Sequence, residues 1–165
     1  MEFADAGTLL QTLALAGGAR RILEIGTGTG RLTLALAAAL PPDGMMIAME
    51  ADAARAGDAR RQLAAAGHAD RVSVMIGDAT RFLHKLAGPF DLIVQASEPA
   101  RYEAMHERLV ALLGPNGVLV TDNIVGAGEG DPAAPFNQRL AADARLQTAF
   151  LPIGGGLAIS VKRAS

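Results

Sequence analysis

Short apolar runs alternate with longer segments whose apolar residues recur at helical spacing. The runs at 20–26, 45–50 (MMIAME), 72–76 (VSVMI), 90–95 (FDLIVQ) and 117–122 (GVLVTD) are short and nearly continuous, which predicts strands buried on both faces. Segments 146–152 and 157–162 predict a pair of strands forming a terminal hairpin. Helices are expected over 4–16, 29–40, 52–66, 79–87, 99–113 and 132–143. In 99–113 the repeat is carried by Met105, Leu109, Leu112 and Leu113. Segment 52–66 is Ala-rich, with Arg55, Arg60 and Arg61 for a wet side. Gly67 and Gly114 stand where helices would need C-terminal caps. Pro41-Pro42-Asp43-Gly44 has a turn's chemistry, and 126–135 reads as a long loop. Strand–helix alternation implies an α/β fold, a parallel sheet with helices on both faces. Ligands of such sheets bind outside the carboxyl ends of the strands, so the residues after each strand carry the functional argument.

Composition narrows the chemistry. The 165 residues fit one domain, 1–165, and half of them are hydrophobic, enough for a full core. Cysteine is absent, which excludes disulfides, thiolate metal sites and Cys nucleophiles. A pI near 5.9 and only two lysines, Lys85 and Lys162, argue against a nucleic-acid partner. No apolar run approaches the ~20 residues of a membrane span. The stretch Leu9 to Leu15 is preceded by Glu2 and Asp5 and interrupted by Gln11 and Thr12, unlike a signal peptide. The expectation is a soluble, cytoplasmic protein.

After the first strand the chain reads Glu24-Ile25-Gly26-Thr27-Gly28-Thr29-Gly30. Alternate glycines let the backbone turn and approach a ligand closely, with the N-terminus of the next helix beside it. Arg31 occupies the sixth position of a G-x-G-x-x-G count from Gly26, so the dinucleotide fingerprint fails. No Gly-Lys-Ser/Thr follows, so the loop is not a P-loop either. Glu24 would repel a pyrophosphate and suits a cationic amino group. Glu50 ends the second strand, at the spacing of an acid that accepts ribose hydroxyls. Asp78, in Gly77-Asp78-Ala79 after the third strand, either takes an adenine amino proton or caps the next helix. Carboxylates near an ammonium, a ribose and an adenine together describe S-adenosylmethionine.

Read as an ordered series, these motifs resemble the class I S-adenosylmethionine-dependent O-methyltransferases of the catechol and caffeoyl-CoA group. The series runs from Arg21-Ile22-Leu23-Glu24-Ile25-Gly26-Thr27-Gly28-Thr29-Gly30 through Gly77-Asp78-Ala79 and Phe90-Asp91-Leu92. It ends with Leu113-Gly114-Pro115-Asn116-Gly117, Thr121-Asp122-Asn123 and Leu151-Pro152-Ile153-Gly154-Gly155-Gly156. The resemblance implies a Rossmann-like methyltransferase fold, a mostly parallel seven-stranded sheet with an antiparallel C-terminal hairpin. It implies methyl transfer to a hydroxyl of a small molecule. It assigns the cofactor to Glu24, Gly26, Thr27, Gly28, Gly30, Glu50, Asp78 and Ala79. The alternative is a catalytically inactive cofactor-binding protein or regulatory subunit.

The family's metal apparatus is only half present. A divalent cation, usually Mg²⁺, binds the acceptor hydroxyls there, through an Asp after the fourth strand and an Asp-Asn pair after the fifth. Asp122 and Asn123 match the pair, but Ala96 replaces the first Asp and Pro99 replaces the family's Lys. Gln95 and Glu98 are substitute oxygen donors to weigh, and Asp122 is also a candidate general base or loop cap. Leu32 stands where relatives carry a Ser that touches the cofactor carboxylate. His84, His106 and Tyr102 fall in expected helices and read as surface or packing residues. The chain begins shortly before Leu9, where relatives carry additional helices, so a more open acceptor site is expected, with a homodimer as a further expectation.

Overall fold

A computed structural model describes residues 5–124 and 133–164. Seven strands form one sheet in the order β3-β2-β1-β4-β5-β7-β6. They are β1 (Arg21–Ile25), β2 (Met45–Glu50), β3 (Val72–Ile76), β4 (Phe90–Gln95), β5 (Leu113–Asp122), β6 (Leu146–Leu151) and β7 (Leu157–Lys162). The first five are parallel, while β7 runs antiparallel to both β5 and β6. The helices are α1 (Ala6–Ala16), α2 (Arg31–Ala39), α3 (Ala53–Ala65), α4 (Ala79–Phe82), α5 (Tyr102–Leu112) and α6 (Ala134–Ala142). One apolar layer joins Leu10 of α1, Leu36 of α2 and Leu63 of α3 to Ile22, Val94 and Val120 of the sheet. The other joins Leu109 of α5 and Leu140 of α6 to Leu23, Ile93 and Leu119. Alternate residues of one strand thus feed opposite layers, as the pleat requires. The expected doubly covered sheet and terminal hairpin are both present.

The strand order changes direction at β1 and β4, which puts the ends of these strands at a topological switch point. Asp91 fixes the opposite end of the same pair. Its Oδ2 accepts from the backbone N–H of Arg20 and of Arg21, both at 2.9 Å.

Three local expectations need correction. Segment 79–87 is not one helix: α4 ends at Phe82 and a 3₁₀ turn covers Leu83–Lys85. Arg108 accounts for the break, donating to the carbonyls of Leu83 (3.1 Å) and Leu86 (2.6 Å). Gly114 is not a helix cap. α5 passes at Leu113 directly into β5, and the left-handed residue of the following bend is Asn116 at φ 60°. Asn tolerates that region because its short side chain can bond locally. The loop expected over 126–135 does not reach its end: α6 begins at Ala134, with Pro135 in its first turn, and residues 125–132 lie outside the described part.

His106 is fully buried and bonds Asp143 Oδ2 through Nε2 at 2.9 Å. Arg145 donates to the same carboxylate and to Glu107, and Arg139 pairs with Glu103 and Glu107. This network ties α5 to α6 and to the entry of β6. First of all the bonds from Arg145, and then that of His106, hold the Asp143 carboxyl well below its usual range. No described helix is long and apolar enough to cross a membrane.

Candidate functional site

The glycine loop begins where β1 ends. Gly26 has φ +90°, and its N–H donates to the carbonyl of Met49 at 2.8 Å. The Ala96 N–H donates to the Ile25 carbonyl at 2.8 Å, drawing the end of β4 against the loop. A Cβ on Gly26 would lie 2.6 Å from the Ala96 carbonyl oxygen. Gly28 (φ +52°) and Gly30 (φ +82°) complete the turn, and Gly30 caps α2 without a side-chain bond. The first N–H groups of α2 therefore face the site without an internal partner. Gln62 of α3 steadies the loop, donating to the Thr29 carbonyl at 3.0 Å.

Glu50, at the end of β2, is only 4% exposed; one of its oxygens holds the loop and the other the start of α3. Oε2 accepts from the N–H of Thr27 (3.1 Å), the hydroxyl of Thr27 (3.2 Å) and the N–H of Gly28 (3.2 Å). Oε1 accepts from the Asp52 N–H (3.0 Å) and from Arg55 through Nε (3.2 Å) and Nη2 (2.8 Å). Burial works to raise its pKa, but Arg55 and the N–H groups of Asp52 and Gly28 outweigh it, so Glu50 is held in the charged form.

Glu24 sits one strand residue before Ile25 and is fully buried. Its Oε2 accepts the Thr33 hydroxyl at 2.7 Å, while Oε1 has no partner among the described residues. Desolvation pushes its pKa up to about 8, against the Thr33 bond. It lies beneath the loop and forms the wall of neither cavity described below.

Asp78 caps α4, accepting from the N–H (2.9 Å) and hydroxyl (2.7 Å) of Thr80. Its other oxygen pairs with Arg101 at 2.7 Å, and Arg101 also meets Glu98 at 3.5 Å. The Thr80 hydroxyl first, then Arg101, lower the Asp78 pKa to about 2. The capping reading of Asp78 is thus realised, and its carboxylate still borders a cavity.

That cavity, about 430 Å³, opens at the carboxyl ends of β1 to β4. Its walls bring together Gly26, Gly28, Glu50, Asp78 and Ala79, with Arg55, Glu98 and Arg101 at the same opening. Such a volume suits a small-molecule ligand. The Ser97 hydroxyl, buried at its edge, has no hydrogen-bond partner among the described residues. A second cavity, about 520 Å³, lies across the loop. Asp5, Thr8 and Gln11 of the α1 region, Arg31 and Leu32 of α2, and Asp122 line it. Gly26, Gly28, Thr29 and Ala96 belong to both walls.

Asp122 ends β5, and its Oδ1 accepts the Asn123 N–H at 2.8 Å. Asn123 is exposed, with φ 55°, against Gly155. The buried Tyr102 hydroxyl lies 2.8 Å from the Ser97 carbonyl and 2.9 Å from the Asp122 carbonyl, sharing its one proton between the ends of β4 and β5. Among the described residues, no three His, Cys, Asp or Glu side chains converge near Asp122. Glu98 lines the first cavity and Asp122 the second. Gln95 is fully buried, its amide atoms have no hydrogen-bond partner among the described residues, and it lines neither cavity. These donors do not fit a hard cation, which takes several oxygens including carboxylates.

Arg55, Arg101 and Ser97 were not singled out as site residues from the sequence. The available signal for Arg55 was its place in the first turn of α3, just after Glu50, which the Ala-rich helix disguised as part of a solvent face.

The model of a family described as O-methyltransferase matches residues 1–163. Caffeoyl-CoA O-methyltransferase 1 of Eucalyptus globulus is 31% identical over 94% of this chain and 72% of its own length. Catechol O-methyltransferase of Niastella koreensis is 30% identical over 95% of this chain and 80% of its own. The crystal structure of the O-methyltransferase TomG from Streptomyces achromogenes, in complex with SAM, superposes with a TM-score of 0.89 at 29% identity. That superposition covers 99% of this chain and 82% of TomG.

Proposed function

The chain belongs to the O-methyltransferase family and is an S-adenosylmethionine-dependent O-methyltransferase, and from that premise we propose how its own residues share the work. The adenosine part of the donor occupies the 430 Å³ cavity, with Glu50 toward the ribose and Asp78 and Ala79 beside the adenine. Gly26, Thr27, Gly28 and Gly30 give it a close backbone approach. The methionine end passes over the loop; Glu24 lies buried beneath it, outside both cavities and bonded to Thr33, and does not meet the ammonium directly. Arg31, in the second cavity, meets its carboxylate, a charge-assisted bond that Leu32 cannot supply. The observation that carries this reading is the convergence of the glycine loop, Glu50 and the Asp78–Ala79 turn on one cavity.

Bound S-adenosylmethionine supplies an electrophilic methyl group on a sulfonium. The acceptor is a small molecule with a hydroxyl, held in the second cavity beside Asp122, with Asn123 next in the chain. Asp122 takes the hydroxyl proton as the oxygen forms its bond to the methyl carbon and the carbon–sulfur bond breaks. The main-chain wall shared by the two cavities aligns the reactants, which is where most of the rate arises when no strong acid or base is present. With Ala96 in place of a carboxylate, no step is routed through a metal. Asp122 and Asn123 hold the acceptor instead.

We read residues 1–165 as one methyltransferase domain, working in the cytoplasm, the compartment of its methyl donor, without a nucleic-acid partner. A homodimer is supported by exposed apolar side chains such as Leu15, Met45 and Phe150. Calorimetry with S-adenosylmethionine, S-adenosylhomocysteine and NAD tests the donor assignment. Binding of the two adenosyl compounds and not NAD is expected, and failure of both to bind would overturn it. A panel of catechols and other hydroxylated acceptors, run with Mg²⁺ and with EDTA, tests the rest. Turnover insensitive to EDTA is expected. Tight donor binding with no turnover of any acceptor would favour an inactive protein.

A further inference from the structure

We propose that Arg55 sets the affinity for the methyl donor by occupying the place on Glu50 that the ribose must take. The inference rests on the reading of Glu50 as the ribose acceptor. A carboxylate offers about four lone-pair sites. Glu50 already receives six donor contacts from the protein, three on each oxygen. An entering hydroxyl therefore has to displace one of them.

The six are not equally replaceable. The N–H groups of Thr27 and Gly28 and the Thr27 hydroxyl belong to the glycine loop, where moving them would undo the turn. The Asp52 N–H belongs to the residue that caps α3 through its bond to the Arg55 N–H. Only the Arg55 guanidinium sits at the end of a flexible side chain, and that side chain is 55% exposed. Water can solvate it once released. It also has a second carboxylate to turn to, because Glu98 lies on the same cavity wall and contributes to the electrostatic attraction on Arg55. Glu98 is itself paired with Arg101, which holds Asp78. The cavity mouth thus carries alternating charges, Glu50, Arg55, Glu98, Arg101 and Asp78, all lining one opening. Displacement of Arg55 from Glu50 toward Glu98 exchanges one partner for another without leaving a charge stranded.

Affinity is then multiplied by the fraction of molecules in which Oε1 is free, which for a pair whose arginine is half-exposed corresponds to roughly a fivefold penalty. The test is calorimetric titration of S-adenosylhomocysteine into wild type, Arg55→Ala and Arg55→Lys, at low and high NaCl. Arg55→Ala should bind about fivefold more tightly than wild type. Arg55→Lys, which keeps the charge and loses the two-pronged bond, should fall between them. Salt should tighten wild-type binding, by screening the pair, and leave Arg55→Ala unmoved. Unchanged or weaker binding by Arg55→Ala, with the fold intact by circular dichroism, overturns the proposal. Glu50→Gln is the control for the underlying assignment. If it binds like wild type, Glu50 is not the ribose acceptor and the inference falls with it. If it binds at least tenfold more weakly while Arg55→Ala is unchanged, the assignment stands and only the role of Arg55 is refuted.

Discussion

The carbonyl oxygen of Ala96 stands where a side chain on Gly26 would have to go, 2.6 Å from the nearest possible Cβ. Gly26 also holds φ +90°, so two independent constraints demand glycine. Replacing Gly26 with Ala should strain the backbone and push β4 away from β1. The expected cost is roughly 2–4 kcal/mol. Urea denaturation should give that loss, and calorimetry should show donor binding weakened by tenfold or more, since both cavities share this wall.

Ala96 offers a second, opposite experiment. Ala96 and Asp122 line the same cavity, so Ala96→Asp would place a second carboxylate beside Asp122 and Asn123. Mn²⁺ titration should detect a site in the variant that is absent or far weaker in the wild type. Methyl transfer by the variant should become sensitive to EDTA, while wild-type turnover should not.

The pH dependence of stability should carry the mark of Glu24. Its folded-state pKa is raised by burial to about 8, from an ordinary value of 4.5. Between those values the unfolded chain releases a proton that the folded protein keeps. The folded state thus binds more protons, and stability from this group is lost as pH rises through the window. Wild-type stability should decline from pH 5 to pH 8 in chemical denaturation. Glu24→Gln, which cannot ionise, should flatten the decline. An equally steep slope in both proteins would refute the assignment.

His106 and Asp143 should matter for stability and not for the donor. Asp143→Ala leaves the buried His106 without its hydrogen-bond partner among the described residues and removes one of the two carboxylates on Arg145, at a cost of about 2–3 kcal/mol. Thermal and urea unfolding should report the loss. The dissociation constant for S-adenosylhomocysteine should stay within about twofold, because neither residue borders either cavity.

The strands were legible because burial on both faces leaves continuous apolar runs, and the runs 45–50, 72–76 and 90–95 coincide with β2, β3 and β4. The glycine loop was legible because positive φ at Gly26, Gly28 and Gly30 leaves few other residue choices. The helix expected over 79–87 was not, because what breaks it is Arg108, which arrives from a different helix. The pairing of Glu50 with Arg55 is likewise not written in the pattern of the chain. Both lie in the expected elements, but only the folded geometry turns an apparently wet arginine back onto a buried carboxylate. Asp78 shows a milder case: its cap was written in the sequence, whereas its partner Arg101, 23 residues away, was not.

The partition between the two cavities is made mainly of main chain and small side chains, at Gly26, Gly28, Thr29 and Ala96. On one side the remaining walls come from the ends of β2, β3 and β4, and on the other from α1, α2 and Asp122. On the proposed assignment, changes in α1 can reshape the acceptor chamber while the chamber that holds the adenosine keeps its form. The fold is in this sense modular: new substrates can be explored from one side of a fixed boundary, without renegotiating the adenosine held on the other.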